Sequence, residues 1–174
     1  TVSRHPSVLQ NPSAILALMI KYRLATPADI PQLLALLREI MEHHGTVPPE
    51  PERQTATIAT ILEAPDHLLL VADDDGRLIA MCALIFSQST WSAAPVCELQ
   101  DVLVTEDRRG NEVGRELLRT AEELARSRDC ARLYLWAEPW NLKAHSFYRS
   151  LGLAEKTCLY FERDLRAGPC AGPS

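Results

Sequence analysis

Apolar residues recur along this chain with two different periods. Ile30, Leu33, Leu34, Leu37, Ile40 and Met41 fall three or four apart, which predicts an amphipathic helix running to about residue 43. Thr26-Pro27 supplies an N-cap followed by proline at the first helical position, with Asp29 in the first turn. Short apolar runs at 20–24, 67–72, 78–87 and 96–104 read as strands. Asp73-Asp74-Asp75-Gly76 joins the second of these to the third as a hairpin, because Asp-Gly tolerates the positive φ of a tight turn. A proline-rich acidic loop at 46–52 precedes a second helix over 54–63, and 87–95 reads as a polar loop. Helical spacing returns at Val113, Leu117, Leu118, Ala121, Leu124 and Ala125. A strand at 131–137 follows, then a short helix at 142–150 closing on Leu151-Gly152. Polar and apolar residues alternate over 157–165, which predicts a last strand. Strands 96–104 and 131–137 are joined through a helix, so they pair in parallel.

The ends look different. Residues 1–18 are polar and irregular and read as an N-terminal extension, 19–166 as the compact domain, and 167–174 as a C-terminal tail. A chain of 174 residues with 47% hydrophobic content suits one domain with a real core. No apolar run approaches the ~18 residues of a membrane span, and a net charge of −5 argues against nucleic-acid binding. Cys82, Cys97, Cys130, Cys158 and Cys170 show no ligand spacing and read as reduced thiols of a cytoplasmic protein. His43 and His44 are adjacent and do not share a helix face, so no metal site is expected there.

The positive charge is concentrated. Arg108, Arg109, Arg115, Arg119, Arg126, Arg128 and Arg132 share one short window, beginning within LQDVLVTEDRRGNEVG at 99–114. There an apolar strand ends in an Arg-Gly turn and a helix begins, which offers backbone N–H groups to a phosphate. The string GxxxxGK[ST] does not occur, and Gly110 and Gly114 do not make a G-x-G-x-x-G fingerprint. What matches is an apolar strand Val102-Leu103-Val104, then Arg109-Gly110-Asn111-Glu112-Val113-Gly114, then Asn141, Phe147-Tyr148 and Gly152. In that order and spacing the chain resembles the GCN5-related N-acetyltransferases (the GNAT superfamily) over about 22–165. The resemblance implies a single α/β domain: a mixed, largely antiparallel sheet with a central parallel pair and helices on both faces.

It also implies roles. Acetyl-CoA is the expected co-substrate, with no metal. The turn from Gly110 through Asn111, Glu112, Val113 and Gly114 to Arg115 would hold the pyrophosphate, with charge from Arg109 and Arg115. The strand edge at Val102, Leu103 and Val104 would bind the pantetheine arm, the Val102 amide polarising the acetyl carbonyl, and Asn141 would contact the cofactor. Tyr148 would protonate the departing thiolate. Glu98 sits where histone-type members carry their base, whereas Gln100 stands where polyamine-type members carry glutamate. A bulge in this strand would shift that facing by one residue. Glu112 replaces a glycine of the family pattern, and its carboxylate must turn away from the pyrophosphate. Glu39, Glu42, Glu50, Glu52 and the loop carrying Trp91 are candidate substrate determinants. The expected activity is direct acetyl transfer to a small cationic primary amine. The alternatives are a protein N-terminal or lysine acetyltransferase and a non-catalytic acyl-CoA-binding module. A homodimer is common among similar proteins.

Overall fold

Asp29 anchors the start of the fold through a reciprocal cap. In the computed structural model, which describes residues 20–110, 112–163 and 165, its carboxylate accepts from the Thr26 backbone N–H at 2.7 Å and the Thr26 hydroxyl at 2.9 Å. The Arg23 guanidinium clasps both its oxygens at 2.8 Å. Arg23 lies in strand β1 (Lys21–Leu24), and Asp29 closes a 3-10 turn (Pro27–Asp29) leading into helix α1 (Ile30–His43). One buried carboxylate therefore ties strand to helix. These contacts, Arg23 foremost, hold the Asp29 carboxyl well below the usual carboxylate range. Because the folded value is depressed, the stabilisation is present above the unfolded value near ~3.9 and is lost as pH falls from there toward the folded value. Asp29→Asn is expected to cost about 2–3 kcal/mol at neutral pH. Urea midpoints should show that loss, and the gap to wild type should shrink below about pH 4.

Helix α2 (Pro51–Glu63) follows, then strands β2 (His67–Asp74), β3 (Arg77–Ser89) and β4 (Ala94–Val104). Helix α3 (Val113–Ser127), strand β5 (Arg132–Leu135) and helix α4 (Leu142–Ser150) complete the described elements. The strands lie in sequence order, antiparallel throughout except for the parallel β4–β5 pair. The mixed, largely antiparallel sheet is as expected, with its parallel pair at one edge of the described strands. Asp75 and Gly76 both have positive φ, as a two-residue hairpin turn demands.

Two layers of helix cover the sheet. Leu69, Val71, Met81 and Leu103 pack with Leu33, Leu36 and Ile58 of α1 and α2. The alternate residues Leu70, Cys82, Leu84 and Leu99 are equally buried and point the other way. That second face is left to α3, which buries Leu117, Leu118, Ala121 and Ala125. Cys82 and Cys97 belong to this interior, and burial pushes the Cys97 thiol up to about 12, so both serve as inert packing. The expected loop at 87–95 contracts to 90–93, because Ser87, Gln88 and Ser89 continue the ladder opposite Val96, Pro95 and Ala94. Backbone pairing needs no apolar side chain. Helix α2 begins at Pro51 rather than 54, proline being suited to a first turn. Strand β5 is shorter than the expected 131–137.

The described residues fall into two compact units, divided between Trp136 and Ala137. In the second, the Asn141 side chain caps α4 by accepting from the Ala144 N–H at 3.2 Å. The strand expected at 157–165 does not form among the described residues there. Leu159, Tyr160 and Phe161 are all exposed in succession. Alternation becomes a strand only where a neighbouring edge supplies hydrogen bonds and a face to bury. The expected contact at Asn111, the extension 1–18 and the tail 167–174 lie outside the described residues.

Candidate active site

The pairing of β3 with β4 is interrupted in the middle of β4. Met81 stands opposite Leu103 and Ala83 opposite Gln100, so Asp101 and Val102 together face Cys82. This is a β-bulge, and Asp101 takes its left-handed position at φ 50. Aspartate is one of the few side chains that tolerates that conformation. The bulge breaks the alternation of the strand, so neighbouring Gln100 and Asp101 both line one pocket.

That pocket, of ≈ 120 Å³, opens between α1, α2 and the sheet. Leu33, Leu37, Ile58 and Ile61 wall it from the helices, and Leu69, Met81 and Ile85 from the strands. Ala83, small among large neighbours, lies among them opposite Gln100. The polar residues are Gln100 and Asp101 on β4 and His67 on β2. Asp101 reaches solvent, yet protein crowds the rest of its carboxyl, and that desolvation raises it above the ordinary carboxylate range.

Glu98 is placed differently. Its Oε1 accepts from Gln100 Nε2 at 3.0 Å and its Oε2 from the Tyr134 hydroxyl at 3.1 Å. Tyr134 arrives by the parallel register, which sets it beside Glu98. Glu98 does not line the pocket, and its hold on the Gln100 amide leaves Gln100 Oε1 as an acceptor. Glu39, Glu42, Glu50, Glu52 and Trp91 do not line it either. Plain alternation along the strand would put Asp101 on the face opposite Glu98 and Gln100. The signal that finds it is the bulge, which depends on pairing with β3.

Pairing of β4 to β5 stops at Leu99 opposite Leu135. Beyond it Val102 and Leu103 continue along β4 with no β5 partner, an open edge suited to an amide-bearing ligand arm. Val104 is partly committed, since its carbonyl accepts from Arg109 Nε at 2.9 Å. Arg109 also bonds Glu39 at 3.0 Å, so a phosphate would compete for it. Gly110 follows at φ +77, where an L side chain is strained, and nothing lies within 4 Å of the place a Cβ would take. Helix α3 then begins at Val113 and Gly114, its first N–H groups without intrahelical partners. The Glu112 carboxylate is drawn onto Arg115 at 3.1 Å. These residues fit a pyrophosphate, and Glu112 is the misfit. Glu112→Gly removes a like charge and releases Arg115, so acetyl-CoA should bind about fivefold tighter. Calorimetric titration giving equal or weaker affinity would refute this.

In the second unit Asn141 caps α4, and Tyr148 is half-buried with its ring 5.4 Å from that of Phe147. Among the described residues no cluster of potential ligands could hold a metal ion, and no helix is long and apolar enough to cross a membrane.

Residues 31–153 match the model of the acetyltransferase (GNAT) family. A thialysine N-epsilon-acetyltransferase of Bos taurus is 27% identical over 82% of this chain and 92% of its own length. A glucosamine 6-phosphate N-acetyltransferase of Oryza sativa subsp. japonica is 33% identical over 55% of this chain and 60% of its own. A solved structure described as an acetyltransferase of Agrobacterium tumefaciens strain C58 superposes with a TM-score of 0.73 at 27% identity, covering 83% of this chain and 99% of that one.

Proposed function

This chain belongs to the GNAT family of acetyltransferases, and from that premise we propose that it transfers acetyl from acetyl-CoA directly to a small primary amine seated in the Ala83 pocket. Asp101 carries the reading, as the carboxylate of that pocket. The ammonium of the acceptor docks on Asp101 and on Gln100 Oε1, which Glu98 orients. Asp101 takes one proton. The freed amine nitrogen attacks the acetyl carbonyl carbon, whose oxygen draws on the Val102 N–H. As the new C–N bond forms the C–S bond breaks and Tyr148 supplies a proton to the thiolate; the acylated nitrogen then gives up its second proton to solvent, leaving the neutral amide, and solvent returns a proton to Tyr148. A carboxylate raised by crowding suits this, because proton uptake is easiest when base and working pH approach each other.

The pocket also supports a choice between the two relatives' substrates. No lysine or arginine lines it, so a sugar phosphate would lack the ammonium or guanidinium partner that suits it. Its apolar walls match the stem of an aliphatic amine instead. A panel of alkylamines, aminosugars and lysine peptides, read by a thiol reagent for released CoA, tests the proposal. Small aliphatic amines should turn over best. Turnover on peptides alone would move the reading to a protein acetyltransferase. CoA binding without turnover on any amine would mark an acyl-CoA-binding module.

A further inference from the structure

Ala83 is the shortest side chain on the sheet side of the pocket. Resting on the reading that an amine sits at Asp101, we infer that Ala83 sets the length of the acceptor, an unbranched alkylamine whose stem lies over its methyl group. Along β3 it is flanked by Met81 and Ile85, which line the same pocket. Across the strands it stands between Leu69 of β2 and Gln100 of β4. Four longer side chains therefore frame one methyl. Asp101 and Val102 together face Cys82, the residue before Ala83. A stem whose ammonium rests on Asp101 thus meets Ala83 at once.

The space above that methyl is not taken up by packing. Neighbours close completely over Ala72 and Ala80, both 0% exposed, whereas Ala83 keeps 8%. The side chains of Leu33, Leu37, Ile58 and Ile61 line the pocket from the helices and leave a volume of ≈ 120 Å³. That is a little below the ~150 Å³ cavity that takes up benzene, so an unbranched stem of about five carbons fills it.

Hydrocarbon on the floor and on the helix side decides what such a stem gains. Each methylene laid between Leu69, Met81, Ile85 and the helices leaves water and adds to binding. Once the space is full, one more methylene must push a packed side chain aside or stay in solvent, and the gain ends. Any carbon added at residue 83 takes its place from the stem directly.

Steady-state kinetics on the full chain, with unbranched amines from ethylamine to octylamine, tests this. The kcat/KM should climb about fourfold per methylene as far as pentylamine and then stop climbing. Ala83→Val adds two carbons and should end the climb about two carbons earlier, so that the ratio of pentylamine to propylamine falls about tenfold. Ala83→Gly removes one carbon and should end it about one carbon later, which keeps the test alive if the valine variant does not fold. Because valine fills open space, thermal melts of Ala83→Val should lie no lower than wild type. A lower melt with an equal loss for every amine would make Ala83 a packing element and overturn this inference alone. A climb that ends at the same length in wild type and both variants, or that never ends, overturns it in the same way. No turnover of any amine by the wild-type chain overturns it together with the acetyl-transfer reading.

Discussion

Asp101→Asn is expected to lower kcat/KM for amine acetylation by about 10²–10⁴-fold, the usual contribution of a positioned base. Asparagine keeps the size and the tolerance of positive φ that the bulge requires, so the fold and the pocket should survive. What disappears is the negative charge that binds the ammonium and the lone pair that accepts its proton. Both kcat and KM should therefore worsen, while the affinity for acetyl-CoA stays unchanged by calorimetry. The wild-type acid limb of kcat/KM should lie above the ordinary carboxylate range near ~4, because crowding raises this carboxyl. Activity is present above that raised value and lost as pH falls through it, and the asparagine variant should lack the limb. Glu98→Gln tests the competing assignment. If Glu98 only orients Gln100, its loss should be smaller and the acid limb should remain. A larger loss in Glu98→Gln than in Asp101→Asn would return the role of base to Glu98.

Legibility in the sequence followed the range of the interactions concerned. Thr26-Pro27-Asp29 and Asp75-Gly76 are local devices, and the cap and hairpin they predict are present. Helix α3 was equally readable, since its buried residues follow the period of the chain itself. The resemblance raised a bulge in this strand, but its place at Asp101 was not readable. No glycine marks it, and it exists only because β3 pairs with β4 in a shifted register. The engagement of Glu98 by Tyr134 was hidden for the same reason, the partner arriving through a helix and a parallel strand. Alternation over 157–165 misled, because it reports a pattern that fits a sheet edge without reporting that the edge is there. The pocket needed three separate accidents of placement: a small residue at Ala83, a bulge opposite the adjacent Cys82, and two helices above.

Tyr148→Phe should lower kcat by about 10²-fold with little change in the KM for either substrate, the mark of an interaction made only as the bond breaks. The spacing Phe147-Tyr148-x-x-x-Gly152 has a structural basis that fixes the backbone at this residue. Gly152 turns left-handed at φ +84, and the Leu151 and Leu153 N–H groups both donate to the Tyr148 carbonyl, at 3.1 and 3.2 Å. The residue is thus fixed at the closure of α4. A phenol near pKa ~10 cannot transfer its proton fully to a thiolate whose conjugate acid lies near ~8.5 until negative charge has built up on sulfur. Its benefit is therefore modest and should depend on the leaving group. With acetyl thioesters of progressively more acidic thiols, the deficit of Tyr148→Phe should shrink toward unity. A deficit of constant size across that series would mean that the hydroxyl positions the substrate and donates no proton. No deficit at all would leave Tyr148 as the packing partner of Phe147.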